Sequence, residues 1–286
     1  MKNPAPFLRC ILAGALLLFC AAGSAAAETK TARLAYVEWS CATAATYVVK
    51  AVLQEELGYD VALTPMDAEF IWLSTASGDV DGFVCAWLPS LHRYFYGKVE
   101  YNVDDLGPNL EGTRVGLVVP GYMPIDSVSE LAAHAEAFDS RITGIDPEAG
   151  IMRLTKKAIE EYPLPDMALV SGSGAAMTET LGRKIENREW VVVTGWTPHW
   201  KFARWDLKYL EDPKNIYGGA EAIHTMVRTG LKIDDPRLYR LLDNFHWETE
   251  DIQQVMDMIR KSGKPYESAV SWINQNPDKV APWLAE

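Results

Sequence analysis

Apolar positions along this chain follow two periods in alternation, one near two residues and one near 3.6. The stretch ARLAYVEW (32–39) reads as a strand, and ATAATYVVKAVLQEELGY (42–59) as an amphipathic helix stopped at Gly58. DVALTPM (60–66) is strand-like, EFIWLSTASG (69–78) is helical with a stop at Gly78, and DVDGFVCAWLP (79–89) is a strand broken by Pro89. GTRVGLVVPGYM (112–123) is a further strand with Pro and Gly at its far end. After about Pro120 the alternation starts afresh. Ser127 and Glu130 form a capping box at the head of SVSELAAH. RITGID, AGIMRLTKKAIEEY, MALVSGSG, AAMTETLGRKIEN and EWVVVTGW then read as strand, helix, strand, helix, strand. AEAIHTMVRTG (220–230) contains one more strand, and the tail changes character to three amphipathic helices, DPRLYRLLDNF, TEDIQQVMDMIRKSG and YESAVSWINQN. Strand–helix alternation predicts an α/β fold with largely parallel sheets. The simplest layout is two α/β lobes of similar size with a helical C-terminal portion. Ligands of such sheets bind outside the carboxyl ends of the strands.

The N-terminus needs separate treatment. Lys2 and Arg9 flank an apolar run over 11–22, and Ala25, Ala26 and Ala27 supply small residues before Glu28. The run is shorter than the roughly 20 apolar residues of a membrane span. It reads as a signal peptide, residues 1–27, cleaved before Glu28. LLFCAA lacks the small residue usual before a lipidated cysteine, so Cys20 does not argue for an anchor. The expectation is a free periplasmic protein that does not span the membrane. The chain carries a formal net charge of −12, which repels nucleic acid and anionic membranes. Cys41 and Cys85 survive cleavage. In an oxidising compartment they are either a disulfide or two buried thiols.

Tryptophan is the compositional anomaly, with ten in the chain. Trp39 ends the first strand, Trp87 ends the third, and Trp196 follows VVVTG in the second lobe. The other seven suit core or lobe packing. Three indoles at strand ends suggest convergence on the crevice, where they would recognise a quaternary ammonium group through ring quadrupoles and methyl–ring contacts. At about 0.5–2 kcal/mol per ring, three rings give ~2–6 kcal/mol, short of the roughly 8 kcal/mol of a micromolar complex. A second handle is needed, such as hydrogen bonds to a carboxylate.

Several segments carry a family resemblance: LAYVEW, GDVDGFVCAWLPSLH, DLGPNLEGTRVGLVVPGYM, GIDPEAGIM and TGWTPHW followed by DLKYLEDP. Together they resemble the substrate-binding proteins of glycine betaine ABC transporters, over nearly the whole mature chain. The resemblance implies a two-lobed periplasmic-binding-protein fold of type II, a clamshell, with lobe I formed by 28–118 and 215–286 and lobe II by 119–214. It implies a tryptophan box of Trp39, Trp87 and Trp196 around the ligand ammonium. The ligand carboxylate would meet His92 and the backbone N–H groups of Gly150 and Ile151. Gly150 and Ile151 open a predicted helix, where free N–H groups and the dipole favour an anion. By itself a glycine at a helix start or a lone histidine is unremarkable. Choline binders of the broader group carry an acid two residues after the first box tryptophan, and here that residue is Cys41. Cys41 and Cys85 each lie two residues from a box tryptophan, so a bridge would fix both rings.

SGSGAA (171–176) lacks a P-loop lysine and reads as a glycine-rich turn before a helix. Cys41, Cys85, His92 and His199 lack tight metal-ligand spacing, and His199 is expected to order its turn. No metal or cofactor is expected. The first reading is a monomeric binding protein, not an enzyme, that closes over a betaine-type ligand and delivers it to the membrane permease of an ABC transporter. Choline, carnitine, dimethylsulfoniopropionate and trimethylamine N-oxide remain open as ligands. A periplasmic hydrolase of choline esters is the alternative class, and a sugar-binding clamshell a third. If His92 acts as a cation toward the carboxylate, binding weakens as pH rises.

Overall fold

β1 (Thr31–Tyr36) lies between β2 (Asp60–Pro65) and β3 (Gly82–Leu88), both parallel to it. Between these strands run α1 (Ser40–Glu55) and α2 (Ala68–Ser77). α1 buries a face of small and branched residues, Cys41, Ala45, Val48, Val49 and Val52 among them. α2 stops where Gly78 takes a left-handed φ of 80° and its N–H donates to the carbonyls of Ser74 and Thr75, as glycine at that position permits. The computed structural model describes Met1 and residues 30–285. The segment read as a signal peptide lies outside them apart from Met1.

α3 (Arg93–Val99) leads into β4 (Val103–Pro120), followed by β5 (Arg141–Thr143), α4 (Gly150–Glu161), β6 (Ala168–Val170), α5 (Gly174–Glu186) and β7 (Val193–Thr197). α6 (Lys201–Arg204), β8 (Leu207–Tyr209) and β9 (Glu221–Arg228) complete the alternating part. Among the described residues nine strands form one connected sheet in the order β2-β1-β3-β9-β4-β7-β5-β6, with β8 on β4. β4 is the shared element. It pairs with β9 as far as Thr113 and with β7 from Arg114 onward. The helices Thr249–Ser262 and Pro265–Gln275 return to pack on α1.

Four sequence expectations need correction. The sheet is parallel only at its ends; β3–β9, β9–β4 and β4–β7 are antiparallel, because the chain passes back through the middle. β4 begins at Val103, well before the expected 112. Its first half is hidden in sequence by Gly107, Pro108 and Gly112, which the strand accommodates through register shifts between Asp105 and Thr113. β1 ends at Tyr36, so Trp39 stands at the N-cap of α1 rather than on the strand. β7 starts only at Val193, which places Trp196 within the strand and leaves Trp190 outside it, packed on Phe138 and His134. The Ser127–Glu130 capping box forms, but it opens a 3-10 run kinked at His134.

Candidate ligand-binding site

Trp39 at the head of α1, Trp87 near the end of β3 and Trp196 in β7 line one small pocket. Gly150, Ile151 and Leu91 share its wall. All three indoles are nearly buried, at 6%, 1% and 5% exposure for Trp39, Trp87 and Trp196. A larger, open cleft also touches Trp39 and Trp196, but charged residues such as Glu38, Glu179, Arg183 and Arg204 line it. The smaller pocket is therefore the apolar chamber, and a cation placed in it meets rings rather than water.

One end of the chamber is built for negative charge. The amides of Gly150 and Ile151 are the first of α4, and they meet no protein acceptor among the described residues. Ala149 gives the helix no side-chain cap, so the two donors and the positive helix end stay available. Gly150 sits against the turn after β3: a Cβ there would lie 2.3 Å from the carbonyl oxygen of Leu91. That close approach brings α4 beside the turn that carries His92.

His92 is completely buried and does not itself line the pocket. Its Nδ1 accepts a hydrogen bond from the Trp87 backbone N–H at 3.1 Å. The ring proton is thereby assigned to Nε2, which is buried without a partner. Burial, then the charge of Arg153, pushes its pKa down to about 3. A depressed imidazole is neutral at every pH above its folded value, so His92 is a neutral donor. The expectation of binding that weakens with rising pH through a cationic His92 is corrected on that ground. The turn is held by the buried carboxylate of Glu221, which accepts from the N–H groups of Ser90 at 2.8 Å and Leu91 at 3.2 Å.

Contacts join the two sides of the chamber. The Trp39 Nε1–H donates to Asp146 Oδ2 at 2.9 Å, which orients the indole from the loop ahead of α4. The Arg153 guanidinium on α4 stands 4.1 Å from the ring centroid of Tyr94 and 4.8 Å from that of Phe95, both on α3. Asp146, Arg153 and Glu221 were not singled out in the sequence, where each is one acid or base among many.

Cys41 and Cys85 are free, buried thiols, so the bridge weighed from sequence is not made. They lie against each other: hydrogen bonding with Cys41, then burial, pushes the Cys85 thiol well above its ordinary range. His199 orders its turn as expected, its Nδ1 accepting the Lys201 backbone N–H at 3.1 Å. Ser173 caps α5 through Ala176, which makes SGSGAA the turn before a helix.

The sequence profile described as "OpuAC: Substrate binding domain of ABC-type glycine betaine transport system" matches residues 30–275. The chain belongs to this family. Its α/β architecture is the type II periplasmic-binding-protein, or clamshell, fold. The crystal structure of lactococcal OpuAC, closed and complexed with glycine betaine, is similar with a TM-score of 0.86 and 41% identity, over 90% of this chain and 100% of that one. An ABC-transporter choline-binding protein in complex with choline is similar with a TM-score of 0.83 and 27% identity, over 89% of this chain and 91% of that one. The glycine betaine/carnitine transport binding protein GbuC of Listeria monocytogenes serotype 1/2a (strain 10403S) is 50% identical over 56% of this chain. The chain spans about half of that relative, 53% of its length. No helix among the described residues is long and apolar enough to cross a membrane.

Proposed function

We propose that this protein captures a quaternary ammonium zwitterion, glycine betaine first among the candidates, and presents it to the membrane permease of an ABC importer. The onium head sits between Trp39, Trp87 and Trp196. The carboxylate takes hydrogen bonds from the Gly150 and Ile151 amides and from His92 Nε2–H. The observation that carries this reading is the meeting of three indoles and a bare helix N-terminus around one small pocket. A permanently charged methylated head has no hydrogen bond to offer and is suited to ring faces, whereas the ligand's anion needs donors.

The division into lobe I (28–118 and 215–286) and lobe II (119–214) is part of the proposal. The change of partner along β4 and the return of the C-terminal helices to α1 support it. Trp39, Trp87 and His92 then belong to lobe I, and Trp196, Gly150 and Ile151 to lobe II. A ligand touching both sets favours closure. The protein acts as a periplasmic monomer after loss of its signal peptide, and binds rather than transforms its ligand.

Choline separates the ligand readings. It has the same onium head and no carboxylate, so it leaves the α4 amides and His92 Nε2–H unanswered in a closed site. An unsatisfied buried donor costs about 1–3 kcal/mol. Choline should therefore bind at least about tenfold more weakly than glycine betaine in titration calorimetry, at about 1.4 kcal/mol per decade. Equal affinities would remove the carboxylate pole from the proposal. Recovery of a cleaved product from a choline ester incubated with the protein would instead favour the hydrolase reading.

A further inference from the structure

Behind the box lies a buried amine that the capture of ligand does not use. Lys201, the first residue of α6, is 0% exposed, and its Nζ has no hydrogen-bond partner. Nζ stands 4.3 Å from the centroid of the Trp196 ring and 5.4 Å from that of Phe202. Lys201 lines neither the tryptophan pocket nor the larger cleft, so it covers the indole from the protein side.

Among the described residues the one acidic group that acts on it is a thiol. On its own segment there is His199, whose pKa burial and then Lys201 itself hold well below the usual range. From α1 comes the Cys41 thiol, which hydrogen bonding from Cys85 on β3 pushes below its ordinary range against burial, and whose ionised form pulls the Lys201 pKa up. Gly195 lies against the Lys201 stem, where a Cβ would stand 3.7 Å from Lys201 Cε.

We propose that Lys201 tunes Trp196 as a cation receptor. With its amine neutral, the indole is free for the onium head. With its amine protonated, two cations share one ring, each weakening the hold of the other. This rests on the ligand assignment above.

Burial lowers the Lys201 pKa from the lysine range to about 7, against a smaller upward pull from Cys41. The switch therefore falls in the neutral range. The sign follows from linkage: a bound onium disfavours the ammonium further, so ligand binding expels a proton and affinity rises with pH until Lys201 is deprotonated. His92 and His199 are both held neutral there and contribute no step, whereas a step from the lowered Cys41 thiol alone would survive in Lys201→Met and so be told apart.

The test is the Kd of glycine betaine for the mature protein, by titration calorimetry between about pH 5.5 and about pH 8.5. The wild type should bind about tenfold more tightly at the upper end, the scale of like-charge repulsion across a ring in a partly screened interior. Lys201→Met should lose the slope and bind more tightly than wild type at the lower end. A flat wild-type profile, or a slope that survives in Lys201→Met, would overturn the proposal. Should Lys201→Met fail to fold, wild-type titrations at about pH 6.5 in buffers of different ionisation enthalpy decide, since a proton must be released on binding; zero release or uptake contradicts the tuning. Absence of binding at every pH overturns the ligand assignment itself, whereas binding without a pH slope overturns this inference alone.

Discussion

Trp196→Ala is expected to weaken glycine betaine binding by more than tenfold while the chain still folds. The lost ring face alone is worth about 0.5–2 kcal/mol, and a decade of affinity is about 1.4 kcal/mol. The substitution also opens the chamber toward Lys201 and the two thiols, so the onium head loses methyl contacts as well as quadrupole. Emptying a site this large in the core costs roughly 3–5 kcal/mol of stability. One side of the ring already faces the pocket rather than packed neighbours, which favours the lower end of that range. Circular dichroism should therefore show native secondary structure and a lowered melting midpoint, with calorimetry reporting the lost affinity. Wild-type affinity in a folded variant would take Trp196 out of the site.

Gly150→Ala should act through geometry alone. The new methyl would lie 2.3 Å from the Leu91 carbonyl oxygen and 3.0 Å from its carbonyl carbon. No rotamer relieves a clash with backbone, so α4 and the turn carrying His92 must move apart. Overpacking of this kind costs about 1–3 kcal/mol, which predicts an affinity loss of roughly tenfold or more. Alanine suits the first turn of a helix better than glycine does, so α4 itself is not weakened. If the turn and α4 belong to different lobes, the penalty falls on closure and not on folding. The expected pair of results is an unchanged melting midpoint without ligand and a weakened Kd. An unchanged Kd would mean that the approach of α4 to Leu91 is not needed for binding.

Much of this site was legible in the sequence because its parts are local. AWLP, YVEW and TGWTPHW each carry a box tryptophan beside its strand or turn, and EAGIM carries the helix start and its glycine together. The elements with one strong period, such as α1 and the C-terminal helices, were legible for the same reason. What was not legible depends on distant pairing. Asp146 matters through the Trp39 indole, Glu221 through the Ser90 and Leu91 amides, and Lys201 through the back of Trp196. None of the three has a sequence neighbour that marks it. The first half of β4 was hidden because a glycine and a proline looked like a loop, while β9 was there to hold them in a strand. The antiparallel centre of the sheet was hidden likewise, since strand–helix alternation says nothing about the direction of a strand that joins a sheet late in the chain, as β9 does. Cys41 and Cys85 show the limit from the other side: their spacing from the tryptophans brought them together correctly but did not decide between a bridge and two thiols.

The claim beneath all of this is that positive charge, and not merely a trimethyl shape, is what the three indoles hold. The direct measurement compares glycine betaine with 3,3-dimethylbutanoate, in which carbon replaces nitrogen and the carboxylate is kept, by titration calorimetry. With ~2 kcal/mol or more carried by cation–ring attraction, the neutral-headed analogue should bind at least about thirtyfold more weakly. Equal affinity for the two compounds would contradict the account.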